Sequence, residues 1–476
     1  MKRRYFSKNL KTLFFLAIFL STLLKLYLVN TFKGPLSGFM WDEYIYIVAA
    51  KNMKDGFGYT SDRPPLLPTL IALIFQLFGE NLRIVKYSMP ILSLINIFLI
   101  YHLASVLYDE KVGVISSIFF SSLPVPFFLS TRILTETLFL TFFLLSITTF
   151  YLGLEKNKKY FLLTGIFTAF SLLTRYTGVV LFLIYAAFIL LKKRFDVFLS
   201  TYLYISFLIF LIILSPWFLA NFQNYRSLLG PLIKNFAINK RIQTVEAINL
   251  PVLNFKLSFS RTAYYFFVLP FVGSFLSFTT LLYFLFYRKI GEKDFFLILI
   301  FLITFILFLI SVGRASIRFL NELSIIFSIF SSLFFVKTFK KNGKIFAFVF
   351  SIWFLNLLLS ITTVAWYSNN REILENPNFE LYMKTQEYLE KEIPKSSIVL
   401  TNLEPIVADS GRNAVSIIFN EMSFKNQLKY AEYIVVSSKE PTWEEIKFIE
   451  KEKNLNLINE IDGAVKIYEV VKPTTK

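Results

Sequence analysis

The stretch Gly38-Phe-Met-Trp-Asp42-Glu43-Tyr-Ile-Tyr46, then Asp55-Gly56-Phe-Gly58-Tyr59, then Ser61-Asp62-Arg63-Pro64-Pro65-Leu66-Leu67-Pro68, decides the reading of this chain. It follows the first long apolar segment and sets three carboxylates (Asp42, Glu43, Asp62) and Arg63 beside a bilayer. Ionisable groups at that depth are costly and mark sites of function. Pro64-Pro65 stiffens the chain next to the Asp-Arg pair. Gly56 and Gly58 permit the tight return that brings Asp42 and Asp62 together. An ordinary polar loop between two spans has the same chemistry, so the elements around the stretch must separate the two readings.

Outward from that loop the chain is apolar: 55% hydrophobic residues, 58 Phe and a mean hydropathy of +0.58. Runs near the ~20 residues that cross a bilayer recur from Thr12 to Trp366. Spans are expected at 12–30, 86–107, 112–130, 137–154, 159–174, 178–191, 198–217, 263–287, 295–311, 319–336 and 345–366. The first begins behind Lys2-Arg3-Arg4, lacks an Ala-x-Ala-type cleavage site and is followed by more spans, so it reads as a retained anchor. Leu66–Phe78 is short, opens with prolines and ends at Gly79. As a span it would invert the parity of every later basic loop, so it reads as an interfacial or re-entrant helix. Ile45, Val48, Ala49 and Asn52 fall at helical spacing and predict a helix over Tyr44–Met53 lying along the membrane. The fold class is an all-α polytopic membrane domain, of about eleven spans, or twelve to thirteen if short segments also cross. A C-terminal α/β domain follows it.

Charge gives the orientation. Lys156, Lys158 and Lys159, Lys192-Lys193-Arg194, Arg288-Lys289 with Lys293, and Lys337, Lys340, Lys341 and Lys344 sit in short connections. Such loops stay cytoplasmic, and with the basic N-terminus they fix every second connection inside. The Asp42 loop, the turns at Arg132–Glu136 and Arg175, the loop 218–262, Gly313–Arg318 and the C-terminal domain then lie outside a plasma membrane. Residues 367–476 hold 14 Lys/Arg and 18 Asp/Glu, leaving 36 and 14 of the chain's 50 and 32 in the membrane part. The net charge of +18 is therefore a membrane-surface signal, for anionic lipid or substrate, and not a nucleic-acid signature. The chain has no cysteine, which excludes disulfides, thiolate metal sites and cysteine nucleophiles.

The domain division is 1–366, with the first external loop at 31–85, and 367–476. In the latter, Asn378 opens a helix reaching to about Glu392. Ser397–Thr401, Ile434–Ser437 and Val465–Val470 read as strands, and Thr442 with Glu445 as a capping box. Neither Gly-x-Gly-x-x-Gly nor a Walker pattern occurs, so no soluble nucleotide cofactor is indicated.

Arg132, Arg175, Arg314 and Arg318 each lie at the outer end of a span. One such Arg serves as a bilayer anchor. Four on the face that carries the carboxylates suggest a shared anion site, since the guanidinium fork pairs bidentately with phosphate. A carboxylate that takes the proton of an attacking hydroxyl, beside cations that stabilise a departing phosphate, is what a group transfer from phosphate needs. Asp42, behind Trp41, is the best base; Glu43 points elsewhere on a helix. Asp62 and Arg63 either pair with each other or bind acceptor and phosphate. Glu136 follows Arg132 by one helical turn, either as a local pair or as a further site carboxylate.

The ordered pattern Asp42-Glu43-x-x-Tyr46, Gly56-x-Gly58-Tyr59 and Asp62-Arg63-Pro64-Pro65-Leu66 resembles the aminoarabinose transferase and protein O-mannosyltransferase group of the GT-C superfamily. Further matches are Arg132-x-x-x-Glu136, Arg175, Ser215-Pro216-Trp217 with Asn221, and Arg318, in order from about Leu13 to Asn370. The resemblance implies a GT-C fold and a transferase using a polyprenyl- or dolichyl-phosphate sugar. The acceptor would be protein, lipid or glycan. It implies catalytic roles among Asp42, Glu43, Asp62 and Glu136, phosphate contacts from Arg63, Arg132, Arg175 and Arg318, and substrate contacts from Tyr46 and Tyr59. Two positions depart: Ala220 stands where members often have Arg, and Arg63 where the aminoarabinose enzymes carry Lys. Neither aminoarabinose nor lipid A is carried over.

His102, the only histidine, lies inside a span and reads as a core residue bonded to a neighbouring helix, not a metal ligand. A divalent ion on Asp42, Glu43, Asp62 and Glu136 is the alternative to neutralisation by Arg. The rival function is a secondary transporter, which also has about a dozen spans. Transporters tend to carry repeats and midplane sites, whereas this sequence shows no repeat and gathers its ionisable groups at one face.

The orientation is testable directly, because single cysteines are introduced into a chain that has none. Cysteine at Ser61, Asn224 or Ser438 is expected to react with an impermeant maleimide outside intact cells, and cysteine at Asn157 or Asn342 is not. Labelling of the last two with protection of Ser438 would show that Leu66–Phe78 crosses the membrane.

Overall fold

A computed structural model describes residues 8–30, 41–59, 63–225, 227–230, 248–250, 255–257, 274–287, 290–311, 318, 321–339, 342–375, 378–418, 421–440 and 442–472. Their contacts form two compact units. One comprises Met1–Thr31, Lys86–Ile213 and Gln243–Trp366; the other comprises Phe32–Val85, Leu214–Ile242 and Tyr367–Lys476.

The first unit is helical. Its helices include α1 (Lys8–Leu28), α4 (Leu82–Leu107), α5 (Glu110–Ser121), α6 (Pro124–Leu129), α7 (Thr135–Glu155), α8 (Tyr160–Thr174) and α9 (Val180–Leu191). After α10 (Thr201–Tyr225), whose residues from Leu214 on belong to the second unit, come α11 (Phe275–Phe286), α12 (Glu292–Ser311), α13 (Leu323–Thr338) and α14 (Asn342–Glu375), which enters the second unit at Tyr367. Among the described residues five stretches are long and apolar enough to cross a membrane: Asn9–Leu28, Leu82–Leu107, Thr135–Glu155, Thr201–Gln223 and Gly343–Ala365. Shorter apolar helices accompany them, and the chain is a membrane protein. Small hydroxyl residues let the innermost helices approach closely. Ser116 of α5 meets Ser332 of α13 at 3.0 Å, and Thr279 of α11 donates to Ser331 of α13 at 2.6 Å.

The segment expected as one span at 112–130 is two helices. Asp109 caps α5, accepting from the Val112 amide at 2.9 Å. Leu123 is extended, and Pro124, with no amide hydrogen, occupies the first turn of α6. The Ser122 carbonyl released by the break accepts from Ser360 Oγ at 2.7 Å. His102 also departs from expectation: it lies on the exposed face of α4, not in the core. The buried positions Ile97, Ile100, Leu103, Ala104 and Leu107 define the opposite stripe. Of the span expected at 263–287, the described part is α11 with its flanks.

The second unit is built on a five-stranded sheet of order β4-β3-β5-β7-β6. The strands are β3 (Ile398–Thr401), β4 (Asn413–Ser416), β5 (Tyr433–Ser437), β6 (Leu455–Ile461) and β7 (Val465–Val470), numbered after a short hairpin of β1 (Ile248–Leu250) and β2 (Phe255–Leu257). β3 pairs parallel to β4 and β5, whereas β7 runs antiparallel to β5 and β6. Asp462 and Gly463, both at positive φ (49° and 64°), make the β6–β7 turn. Alternate residues face opposite sides. Val399, Val435 and Ile467 join one core with Leu389 of α15 (Phe379–Glu392) and Ile406 of α16 (Glu404–Asp409). Leu400, Ile434 and Tyr468 join another with Phe424 of α17 (Glu421–Gln427). Asn378 stands at the start of α15 as expected but makes no side-chain capping bond. Thr442 caps nothing either: its backbone is helical, and its hydroxyl accepts from Asn402 at 3.3 Å.

The helix expected over Tyr44–Met53 is α2 (Trp41–Lys54), and its apolar face belongs to this domain. Val48, 1% exposed, is part of the sheet's first core, and Tyr44 donates to Asp409 of α16 at 2.6 Å. The face read as lying on a membrane is thus buried against protein. α2 packs on α3 (Leu66–Phe78), whose Leu67, Ile71 and Phe75 are buried. At 13 residues α3 is about 20 Å long, short of the ~30 Å hydrocarbon core.

Val48→Asp puts a carboxylate in that core, a cost of several kcal/mol. Limited proteolysis of the purified full chain is expected to degrade residues 367–476 far faster than in the wild type. Unchanged resistance would show that α2 is not part of this core.

Candidate active site

In the second unit the site begins at the end of α2. Gly56, at φ +84°, donates to the Met53 carbonyl at 3.4 Å, and Phe57 donates to the Asn52 carbonyl at 2.9 Å. This pair of bonds is the Schellman motif, which stops a helix with a left-handed glycine. Phe57 then packs on Tyr430, ring centroids 5.0 Å apart, which ties the turn to the sheet domain. Gly58 also has positive φ (76°). Tyr59 Oη donates to the Arg63 carbonyl at 2.5 Å. Arg63 Nη2 lies 3.4 Å from Asp42 Oδ1, in the first turn of α2, where the helix dipole favours a negative charge. Both side chains are only partly buried. Glu43 and Tyr46 are buried. At the far end of α2, Lys51 and Lys54 each reach Glu80 at 2.8 Å. Asp62 lies outside the described residues.

In the first unit the site is built at helix ends. Glu136, 2% exposed, is the second residue of α7. Leu134 at the N-cap provides no side-chain acceptor, so the carboxylate and the helix N-terminus are complementary. Arg175 Nη1 bonds Glu136 Oε1 at 2.7 Å and Thr135 Oγ1 at 3.1 Å. Arg318 Nε stands 3.6 Å from the same Glu136 oxygen. Glu136 is therefore tied to distant segments and not only to its own helical turn. Arg175 leaves α8 in extended backbone, and Gly178 donates back to its carbonyl at 2.9 Å. A Cβ at Gly178 would lie 2.7 Å from the Leu172 amide nitrogen, so only glycine allows this return. Arg132 is buried just before α7; Arg314 lies outside the described residues.

Two further residues of this region are Asn321 and Glu322, at 1% and 2% exposure, in the turn between Arg318 and α13. The Asn321 amide donates to the Arg318 carbonyl at 3.3 Å. The signal was in the sequence: an acid at the start of a span, four residues after an Arg given a phosphate role. Among the described residues no three His, Asp or Glu side chains converge as a metal site.

A family model described as dolichyl-phosphate-mannose-protein mannosyltransferase matches residues 62–219, which include Arg63, Arg132, Glu136 and Arg175. A search of curated protein sequences gives no match. Among solved structures, ArnT from Cupriavidus metallidurans bound to undecaprenyl phosphate is similar at a TM-score of 0.59 and 9% identity, over 95% of this chain and 97% of that one. The oligosaccharyltransferase AglB from Archaeoglobus fulgidus, in complex with an inhibitory peptide and a dolichol-phosphate, is similar at 0.54 and 13%, over 89% and 69%. An oligosaccharyltransferase from Archaeoglobus fulgidus in complex with Zn and sulfate matches at 0.54 and 16%, over 88% and 68%. The chain thus shares the fold of these proteins, the GT-C-like fold that the ordered motifs implied.

A double-mutant cycle tests the Glu136–Arg175 pair. Removing either partner leaves a buried charge uncompensated, a loss of about 3–5 kcal/mol. The double variant Glu136→Ala/Arg175→Ala is expected to lose less than the sum, with a coupling on the order of 0.5–3 kcal/mol. Additive losses, read from unfolding of the detergent-purified protein, would show that the two are not coupled.

Proposed function

We propose that this chain is an integral-membrane hexosyl or pentosyl transferase. It moves a sugar from a polyprenyl- or dolichyl-phosphate donor to a hydroxyl of a protein, lipid or glycan at the outer face of the plasma membrane. The observation that carries the reading is the convergence of Arg175 and Arg318, from separate segments, on the buried Glu136. Two guanidinium groups fixed in place at helix ends suit a lipid-borne phosphate. The fold is that of enzymes with this chemistry.

In the proposed reaction the acceptor oxygen attacks the anomeric carbon as the bond to the phosphate oxygen breaks. The bonding pair leaves with the lipid phosphate, which gains one negative charge, and the acceptor's proton passes to Asp42. Arg175 and Arg318 stabilise the growing charge without a nucleotide site. Glu136, whose Oε1 is already engaged by both, holds them in position and is a poor candidate for the base. Arg63, 3.4 Å from Asp42 Oδ1, orients it. The second unit, which carries Asp42 on a helix of its own core, takes part in acceptor selection.

The test compares Asp42→Asn with Arg175→Ala and Arg318→Ala in protein inserted at equal levels. Loss of a general base costs about 10²–10⁴ in rate, so Asp42→Asn is expected to bind a polyprenyl-phosphate sugar but hardly transfer it. The two Arg variants are expected to lose donor affinity as well as rate. Normal turnover by Asp42→Asn would move the base to Asp62.

A further inference from the structure

Glu322 has no role in the reaction as derived above, and its surroundings do not explain it. It stands at the N-cap of α13, yet its side chain makes no capping bond. Its Oε2 is buried without a hydrogen bond, and so is Oδ1 of Asn321 beside it. A buried acceptor left unmade costs about 1–3 kcal/mol, more when it is charged. A helix end by itself is served as well by a serine or aspartate that caps it. Two adjacent side chains, each almost wholly buried and each with a vacant acceptor, lie in the turn that delivers Arg318 to Glu136. Arg175 and Glu136 are close enough to act on the charge of Glu322.

We propose that Glu322 and Asn321 bind the hydroxyl groups of the sugar carried on the lipid phosphate. A carboxylate accepts two O–H bonds at once, and an amide both accepts and donates, which matches neighbouring hydroxyls on a sugar ring. A phosphate held by Arg175 and Arg318 would bring its attached sugar to this same turn. The inference rests on the donor-phosphate reading above and extends it: the Arg residues hold the lipid phosphate, and the Asn-Glu pair recognises what is attached to it. Sites built to bond a hydroxyl reject ligands that lack it, because their buried groups are then left unpaired.

The experiment measures binding of undecaprenyl phosphate and of undecaprenyl-phosphate-linked mannose, glucose and arabinose to the full-length protein in detergent. At least one sugar-linked lipid is expected to bind about tenfold or more tighter than the bare lipid phosphate, as hydrogen bonds to a charged group give. Glu322→Gln and Asn321→Ala are expected to remove most of that increment and leave affinity for bare undecaprenyl phosphate unchanged. Arg175→Ala is expected to weaken bare and sugar-linked lipids alike. An increment that survives both substitutions, or equal weakening of bare and sugar-linked lipids by Glu322→Gln, overturns the proposal while the phosphate reading stands. Absence of an increment in the wild type overturns it too. If the wild type binds none of these lipids, the donor-phosphate reading falls and takes this one with it.

Discussion

A buried carboxylate at the start of a membrane helix has to be paired, and this requirement organises the first unit around Glu136. Its neighbours follow from it in turn. Arg175 reaches Glu136 because α8 stops at Thr174 and Gly178 lets the chain fold back across the end of that helix. Thr135 takes a second bond from the same guanidinium, which fixes its plane. Arg318 approaches from the turn before α13 and contacts the same carboxylate oxygen. No one of these contacts is strong by itself in water. In a site of low dielectric they determine where two positive charges can stand.

The second unit solves a different problem, which is to hold a partly exposed aspartate still. Asp42 belongs to α2, and α2 cannot shift without disturbing the core that Val48 enters and the bond from Tyr44 to Asp409. The Schellman turn at Gly56 and the packing of Phe57 on Tyr430 fix the other end of the helix. A base on a mobile loop would lose much of its advantage, since positioned groups work through geometry as much as through pKa. The C-terminal sheet thus acts on the loop by packing, whatever else it recognises.

The apolar periodicity made the helices legible: α3 spans Leu66–Phe78 as the proline-led run implied, and α7 to α9 agree closely with the expected spans. Strands β3, β5 and β7 were legible because they are runs of β-branched residues buried in the sheet. β4 and β6 were not. Asn413–Ser416 is only four residues, and Leu455–Ile461 mixes Asn and Glu into an exposed edge interrupted by an irregular register. The face of α2 was visible as a stripe, but a stripe does not say whether lipid or protein covers it. Arg175 and Arg318 were legible as cations at span ends, but their convergence on Glu136 was not. Asn321 and Glu322 were missed because polar residues at a span end read as ordinary boundary residues until their burial is known.

Lys25 shows what the clusters at helix ends avoid. It is buried within α1, donates to Ser93 Oγ at 2.8 Å, and lies over the ring of Phe127 at 5.1 Å. A hydroxyl and an aromatic face are weak compensation for an ammonium taken out of water, and they fit a role in joining α1 to α4. Glu136, Arg175 and Arg318 differ in kind: opposite charges, supplied by separate segments, at the open ends of helices where backbone dipoles add to the field. Such an arrangement pairs its buried charges with one another, and each guanidinium offers five donors. The reaction proposed for the chain is thereby placed at the ends of its helices, where charge can be both paired and presented, while the apolar interiors of the same helices suit the bilayer.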